Sequence, residues 1–155
     1  MARYSCNVFF GKTVVVLGGG PSLKGFDFSR LRDRQVLAIN ASGYDVPWAD
    51  VLFFRDAEWA LENRDLVERW AGLVVTVSRE KTLPYNVLRV ATGRPHMPRS
   101  RTSGQQAVNL AIMMRAKRVV LLGFDWNRDG GNYHARYTKP GLRYRDLSPE
   151  CWNGY

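Results

Sequence analysis

Five residues, Thr13-Val-Val-Val-Leu17, run without polar alternation straight into Gly18-Gly19-Gly20-Pro21-Ser22. A strand that is β-branched or apolar at every position suits burial on both faces, as in a parallel sheet. Three glycines then break it and allow a close approach of backbone to a neighbour or a ligand. Pro21 is placed to open a short helical stretch, expected to reach Leu31, because proline is tolerated at the first helical position. A buried strand that turns abruptly into a helix is the signature of an open sheet whose strands are joined by crossovers.

The rest of the chain repeats that alternation. The first strand is expected over Lys12–Gly18, with further strands over Gln35–Asn40, Asp50–Arg55 and Gly72–Val77. Asn86–Ala91 reads as a strand at an edge, and Arg118–Gly123 as another buried strand. Asp56 is placed to cap a helix running to about Trp70, since Trp59, Leu66, Val67 and Trp70 recur at helical spacing. Thr92–Ser103, with Gly93, Pro95 and Pro98, reads as a loop. A second helix is expected over Gly104–Arg115, with Ala107, Leu110, Ala111 and Met114 as its buried stripe. Strands alternating with helices predict an α/β fold with a mainly parallel sheet. The 155 residues are expected to form a single domain, with 126–155 as a variable basic and aromatic tail.

Composition narrows the function. No apolar run approaches the ~20 residues of a membrane span, and the N-terminus lacks the pattern of a secretory signal. Cys6 and Cys151 cannot build a disulfide framework and lack metal-type spacing, so a reducing cytoplasm is the expectation. Lys and Arg number 23 against 14 Asp and Glu, a formal charge of +9. That excess predicts an anionic partner: nucleic acid, an anionic surface or a phosphorylated small molecule. Arg79, Lys81, Arg94, Arg99 and Arg101, with Arg89 in the edge strand between them, then Arg128, Arg136, Lys139, Arg143 and Arg145, gather in loops that follow strands. In an open α/β sheet that is the ligand-binding edge.

The glycine turn matches no standard phosphate motif. Leu23 stands where G-x-G-x-x-G requires its last glycine, and Phe26-Asp27 replaces the Lys-Ser/Thr of a P-loop. Asn40 stands where a ribose-binding acid is expected; its amide can donate to and accept from a base or sugar. Thr102-Ser103-Gly104 offers hydroxyls and free N–H groups at a helix start, and equally reads as a plain N-cap. Asp125, after Gly123-Phe124, could hold a ribose hydroxyl, a metal or a loop. Asp56 is a candidate base or metal ligand, or simply a cap. His134, flanked by Tyr133 and Tyr137, is a candidate general base or phosphate ligand, or an ordinary loop histidine. No His/Cys/Asp cluster has zinc spacing, so no metal site is assigned.

Val16–Leu31 (Val-Leu-Gly-Gly-Gly-Pro-Ser-Leu-Lys-Gly-Phe-Asp-Phe-Ser-Arg-Leu) resembles the Gly-Asn-Gly-Pro-Ser-Leu opening of bacterial CMP-sialic acid-dependent sialyltransferases. It equally resembles a related domain of unknown function that includes archaeal hydroxymethylpterin pyrophosphokinases, and short bacteriophage proteins. Ala38-Ile-Asn40, Thr102–Arg115 and Ala116–Asp125 match in the same order, so the resemblance covers roughly residues 12–135. It implies a Rossmann-like three-layer domain that here lacks the usual C-terminal helix and strand. It also implies that Gly18, Gly20, Pro21, Ser22, Asn40, Thr102, Ser103 and Gly104 hold the nucleotide of a donor. Gly19 replaces the family's turn asparagine, which removes one contact. Tyr133 matches the second of two tyrosines that contact the departing phosphate, while Asn127 stands at the first. His134 lies near, but does not match, the family's catalytic histidine.

The implied function is a nucleotide- or nucleotide-sugar-dependent transferase of the sialyltransferase-like type. That reading requires no cofactor; a pyrophosphokinase-like one would add Mg²⁺ on Asp56 or Asp125. The alternative is a non-catalytic phage accessory protein, in the host cytoplasm, that binds nucleotide or, through its basic loops, DNA or RNA. A homo-oligomer, or a scaffold subunit completed by a partner, is the further expectation from the absent last strand.

Overall fold

The computed structural model describes residues 7–84, 86–93, 97, 99–100, 102–125 and 133. Its centre is a sheet of six strands: β1 (Thr13–Leu17), β2 (Gln35–Ile39), β3 (Val51–Phe54), β4 (Leu73–Thr76), β5 (Val87–Arg89) and β6 (Arg118–Leu122). The order is β5-β4-β3-β2-β1-β6, and every pairing is parallel. The non-alternating strands are thus explained, because a parallel sheet is apolar on both faces.

Side chains alternate between two cores. Val15, Leu17, Val36, Ala38, Leu52 and Phe54 pack on one face with Leu23, Leu31, Val46, Ala60, Val67 and Trp70. Val14, Val16, Leu37, Ile39, Val51, Phe53 and Val75 pack on the other with Phe9, Met97, Ala107, Leu110, Ala111 and Met114. The crossovers between β1 and β4 therefore cover the first face. One long helix, α3 (Ser103–Met113), covers the second. The arrangement is the expected Rossmann-like α/β layering. Among the described residues no helix is long and apolar enough to cross a membrane.

Three local expectations are corrected. The stretch from Pro21 to Leu31 is not one helix but two 3-10 turns, Pro21–Leu23 and Phe28–Leu31, separated at Gly25 with φ +77°. The helix expected from Asp56 to Trp70 is broken into α1 (Ala57–Glu62) and α2 (Arg64–Glu68). Asn63 makes the break: its φ of −112° and ψ of 34° leave the helical region, and its side-chain amide donates to the Trp59 carbonyl at 2.7 Å. Its side-chain oxygen meanwhile accepts from the Tyr44 hydroxyl. Such local bonding competes with helix continuation. Finally, β6 is not enclosed. It lies at an edge, and Val120 and Leu121 are 37% and 45% exposed. Its apolar composition suits a strand with neighbours on both sides, but β1 is its only partner strand among the described residues.

The two layers differ in charge. Nine of the 14 acidic residues lie between Asp27 and Glu68, mostly in the crossovers of the first face. None lies between Glu80 and Asp125, the stretch that supplies α3. The cations are not confined to the strand ends that follow the sheet, as the sequence suggested. Lys12, Arg34, Lys117 and Arg118 stand at or just before the starts of β1, β2 and β6, at the opposite rim.

Candidate functional site

The order of the strands reverses at β1, which has β2 on one side and β6 on the other. In an open α/β sheet, ligands bind at the carboxyl ends of the strands beside such a reversal. Gly18–Ser22, Asn40 and Gly123–Asp125 follow β1, β2 and β6 there, and the start of α3 is carried to the same region.

The glycine turn is closed on the neighbouring strand end. Gly18 N donates to the Leu122 carbonyl and Gly20 N to the Gly123 carbonyl, both at 2.8 Å. A Cβ at Gly18 would meet the Gly123 oxygen at 2.6 Å, and one at Gly20 the Asp125 carboxylate at 2.5 Å. Both glycines are therefore demanded by contact with the Gly123–Asp125 segment that follows β6. Asp125 accepts from the Ser22 N–H at 2.6 Å and from the Ser22 hydroxyl at 2.5 Å. The chain's own carboxylate thus occupies the place where a phosphate was expected. Of the roles open to Asp125 in the sequence, holding a loop is the one seen. Pro21 is the first residue of the 3-10 turn, and Gly19 accepts from Tyr133 N.

Phe124 fills the gap between the turn and α3. Its ring lies so close to Gly18 and Gly104 that a Cβ at either would come within 3.2 and 2.9 Å of it. Gly104 therefore admits an aromatic ring, and this explains its place in Thr102-Ser103-Gly104 without a ligand. Thr102 is a true N-cap: its hydroxyl oxygen accepts from Gln105 N at 3.3 Å. Ser103 begins the helix behind it.

Asn40 differs from all of these. It sits in the left-handed region at φ +52°, a conformation asparagine tolerates better than most residues. Its side-chain oxygen is buried and has no hydrogen-bond partner among the described residues. The neighbouring Ser42, fully buried, donates its hydroxyl to the Gly18 carbonyl at 2.7 Å and ties this corner to the glycine turn. A second orphan acceptor lies on α3. Gln106 is 2% exposed, and its side-chain oxygen is also without a partner among the described residues. Gln106 belongs to the first half of the helix, and α3 packs against β2, the strand that Asn40 terminates. Sequence reasoning missed Gln106. The available signal was its position four residues before Leu110, which puts a polar side chain on the buried stripe.

The remaining candidates lie apart or are otherwise engaged. Asp56 takes the N-cap position of α1 but makes no capping bond with its side chain, and it is exposed. It follows β3, three strand spacings (about 14 Å) from the end of β6, so Asp56 and Asp125 cannot share one ion. Among the described residues no group of three His, Cys, Asp or Glu is arranged to hold a metal. Tyr133 donates its hydroxyl to Asp45 at 2.7 Å and its ring lies 5.6 Å from that of Phe28, so it closes the first face over Gly19. His134 and Asn127 lie outside the described residues. Comparison with family models, with curated proteins and with solved structures returned no match.

Proposed function

We propose that the chain is a nucleotide- or nucleotide-sugar-dependent transferase that seats its donor at the carboxyl ends of β1 and β2, against Asn40, Gln106 and the start of α3. The observation that carries this reading is that two of the three buried side-chain acceptors without a partner among the described residues, Asn40 Oδ1 and Gln106 Oε1, belong to elements that meet here; the third, Asn86 Oδ1, lies beside β5 at the far edge. Buried polar atoms in folded proteins are nearly always satisfied, so an orphan asks for a water or a ligand donor. Acceptors call for N–H donors: the exocyclic amines of cytosine, adenine and guanine each offer two N–H groups, where uracil offers only its ring N3–H. Thr102 and Ser103 would meet the phosphate at the first turn of α3, where N–H groups and the helix dipole favour an anion. The Gly18–Ser22 turn is then the wall of the site, held rigid by Asp125.

A panel of CMP, CDP, UDP, ATP and GTP, each with and without Mg²⁺, tests this by thermal shift. At a hundredfold excess over Kd, binding adds about 2.7 kcal/mol, a rise of roughly 5–10 °C for a domain of this size. The expected result is a response to at least one amine-bearing nucleotide (CMP, CDP, ATP or GTP) that exceeds the response to UDP. No response to any nucleotide overturns the reading.

One observation favours a second reading, a non-catalytic polyanion-binding protein. Lys12, Arg115, Lys117 and Arg118 are exposed and have no acid within ion-pair distance among the described residues. The Gly11-Lys12 turn is hydrogen-bonded to the Arg115–Arg118 segment, so these cations share one rim, away from the nucleotide corner. A nucleotide phosphate leaves them unexplained. DNA or RNA binding that falls steeply with salt, without a nucleotide response, would establish this reading in place of the first.

A further inference from the structure

We infer that β6 is a contact between two copies of this chain, paired antiparallel about a two-fold axis so that two six-stranded sheets become one. The two edges of the sheet are built differently. At one edge β5 is three residues long and ends in Arg89, the short and charged form that discourages further pairing. At the other, β6 is five residues long and reads Arg-Val-Val-Leu-Leu. It contains no proline, no bulge and no charge beyond its first residue. Its outer backbone edge pairs with nothing among the described residues.

The exposed side chains identify what the edge would accept. Val120 and Leu121 are adjacent, so they point to opposite faces. Val120 lies beside Val15, on the face of α1 and α2; Leu121 lies beside Val16, on the face of α3. A covering element must therefore supply apolar groups on both faces at once, which a strand does and a helix does not.

β6 is complementary to itself. An antiparallel pair centred on Val120 sets Val120 against Val120 of the second copy, and Val119 against its Leu121. Arg118 then falls opposite Leu122. Both exposed side chains gain an apolar neighbour on their own face. Ile112 on α3, 59% exposed, adds apolar surface on the Leu121 side.

The charge distribution selects this orientation. A chain of formal charge +9 associates with itself only if its cations stay apart. Antiparallel pairing leaves the two Arg118 residues about 14 Å apart along the strands, well beyond the ~8 Å screening length at physiological salt. Lys12, Arg115 and Lys117 are carried to opposite ends of the joined sheet. A parallel pairing would bring the two clusters together.

Sedimentation equilibrium of the full chain between low and high micromolar concentration tests the inference. The expected mass is twice the 17.7 kDa of the single chain. Val120→Lys puts two ammonium groups face to face at the axis and should raise the dimer dissociation constant by about a hundredfold. Leu61→Lys, at an equally exposed leucine on α1, should leave it unchanged. Because Val120 is already part-exposed, circular dichroism should show both variants folded. Register is read by Val120→Cys in a Cys6→Ser/Cys151→Ser background, which should cross-link to itself on oxidation where Leu61→Cys does not. Amide exchange on the unsubstituted protein needs no variant: protection of β6 should rise with concentration. A monomer at all concentrations, or β6 protected independently of concentration, would overturn the inference and assign the edge to another segment or another protein. A dimer that survives Val120→Lys would overturn it as well.

Discussion

The glycine turn after β1 and the asparagine corner after β2 stand side by side, and they invert what their sequences suggest. The turn has the look of a phosphate loop, yet its donors and its space are taken by Gly123, Phe124 and Asp125. The corner has one unremarkable Asn, yet it holds a strained backbone and an unsatisfied oxygen. Glycines mark where backbone is crowded, and crowding need not involve a ligand. An orphan buried acceptor is the better pointer, because it has a cost that nothing within the described protein offsets.

The sharpest way to break this comparison is Gly20→Ala. Its φ of −67° suits any residue, so the whole effect is the collision of the new methyl with Asp125 and the Gly123 carbonyl. A loss of about 3 kcal/mol is expected, seen as a fall in Tm of roughly 6–12 °C. A neutral result would mean that the turn is looser than its contacts imply. Asp125→Ala comes next, at about 2 kcal/mol for two charge-assisted bonds to Ser22. Its nucleotide response in thermal shift should persist, since the turn serves as a wall. Loss of the response would return the phosphate to the turn.

Asn40→Gly is expected to act in the opposite sense. Glycine keeps the left-handed backbone at no steric cost and removes the orphan oxygen, so stability should change by less than about 1 kcal/mol. The nucleotide-induced shift should disappear. A variant that binds as well as the unsubstituted protein would strip Asn40 of its role.

The smallest effect concerns acid. Hydrogen bonds from Ser29 hold Asp27 below the usual carboxylate range. The Thr82 amide and hydroxyl, with the Lys81 amide, do the same for Glu80. A lowered folded pKa contributes stability that is present above the unfolded value and lost as pH falls through the folded one. The Tm gap between the unsubstituted protein and Asp27→Asn/Glu80→Gln should therefore be larger at pH 6 than near pH 3. Both groups are fully exposed, so the gap is small even at its widest.

The sheet was largely legible in the sequence. Six apolar segments bounded by turn residues became six strands within a residue or two, because strands of a parallel sheet carry few polar interruptions whether or not both faces are covered. The α3 stripe was legible from its helical spacing, and β5 was read as an edge strand. The break at Asn63 was not, since its side chain bonds backward to Trp59 and across to Tyr44, a residue 19 positions away. The burial of β6 was misread because composition says what a strand prefers beside it and not what it has. The Ser22–Asp125 contact spans 103 residues, and no local pattern announces that a carboxylate from the far end of the chain will settle on a turn. Gln106 was hidden by its own helix, whose apolar stripe drew attention to its neighbours.

The uneven placement of acids across the sheet has a consequence for how the molecule meets others. With nine acids on the crossovers of one face and none from Lys81 to Phe124, the sheet separates, among the described residues, a mixed-charge layer from one without acids. Such a molecule has an electrical front and back. A polyanion near it would favour an approach in which α3 and the segments beside it arrive first. The corner around Asn40, at the rim where α3 begins, would then be presented along with that front.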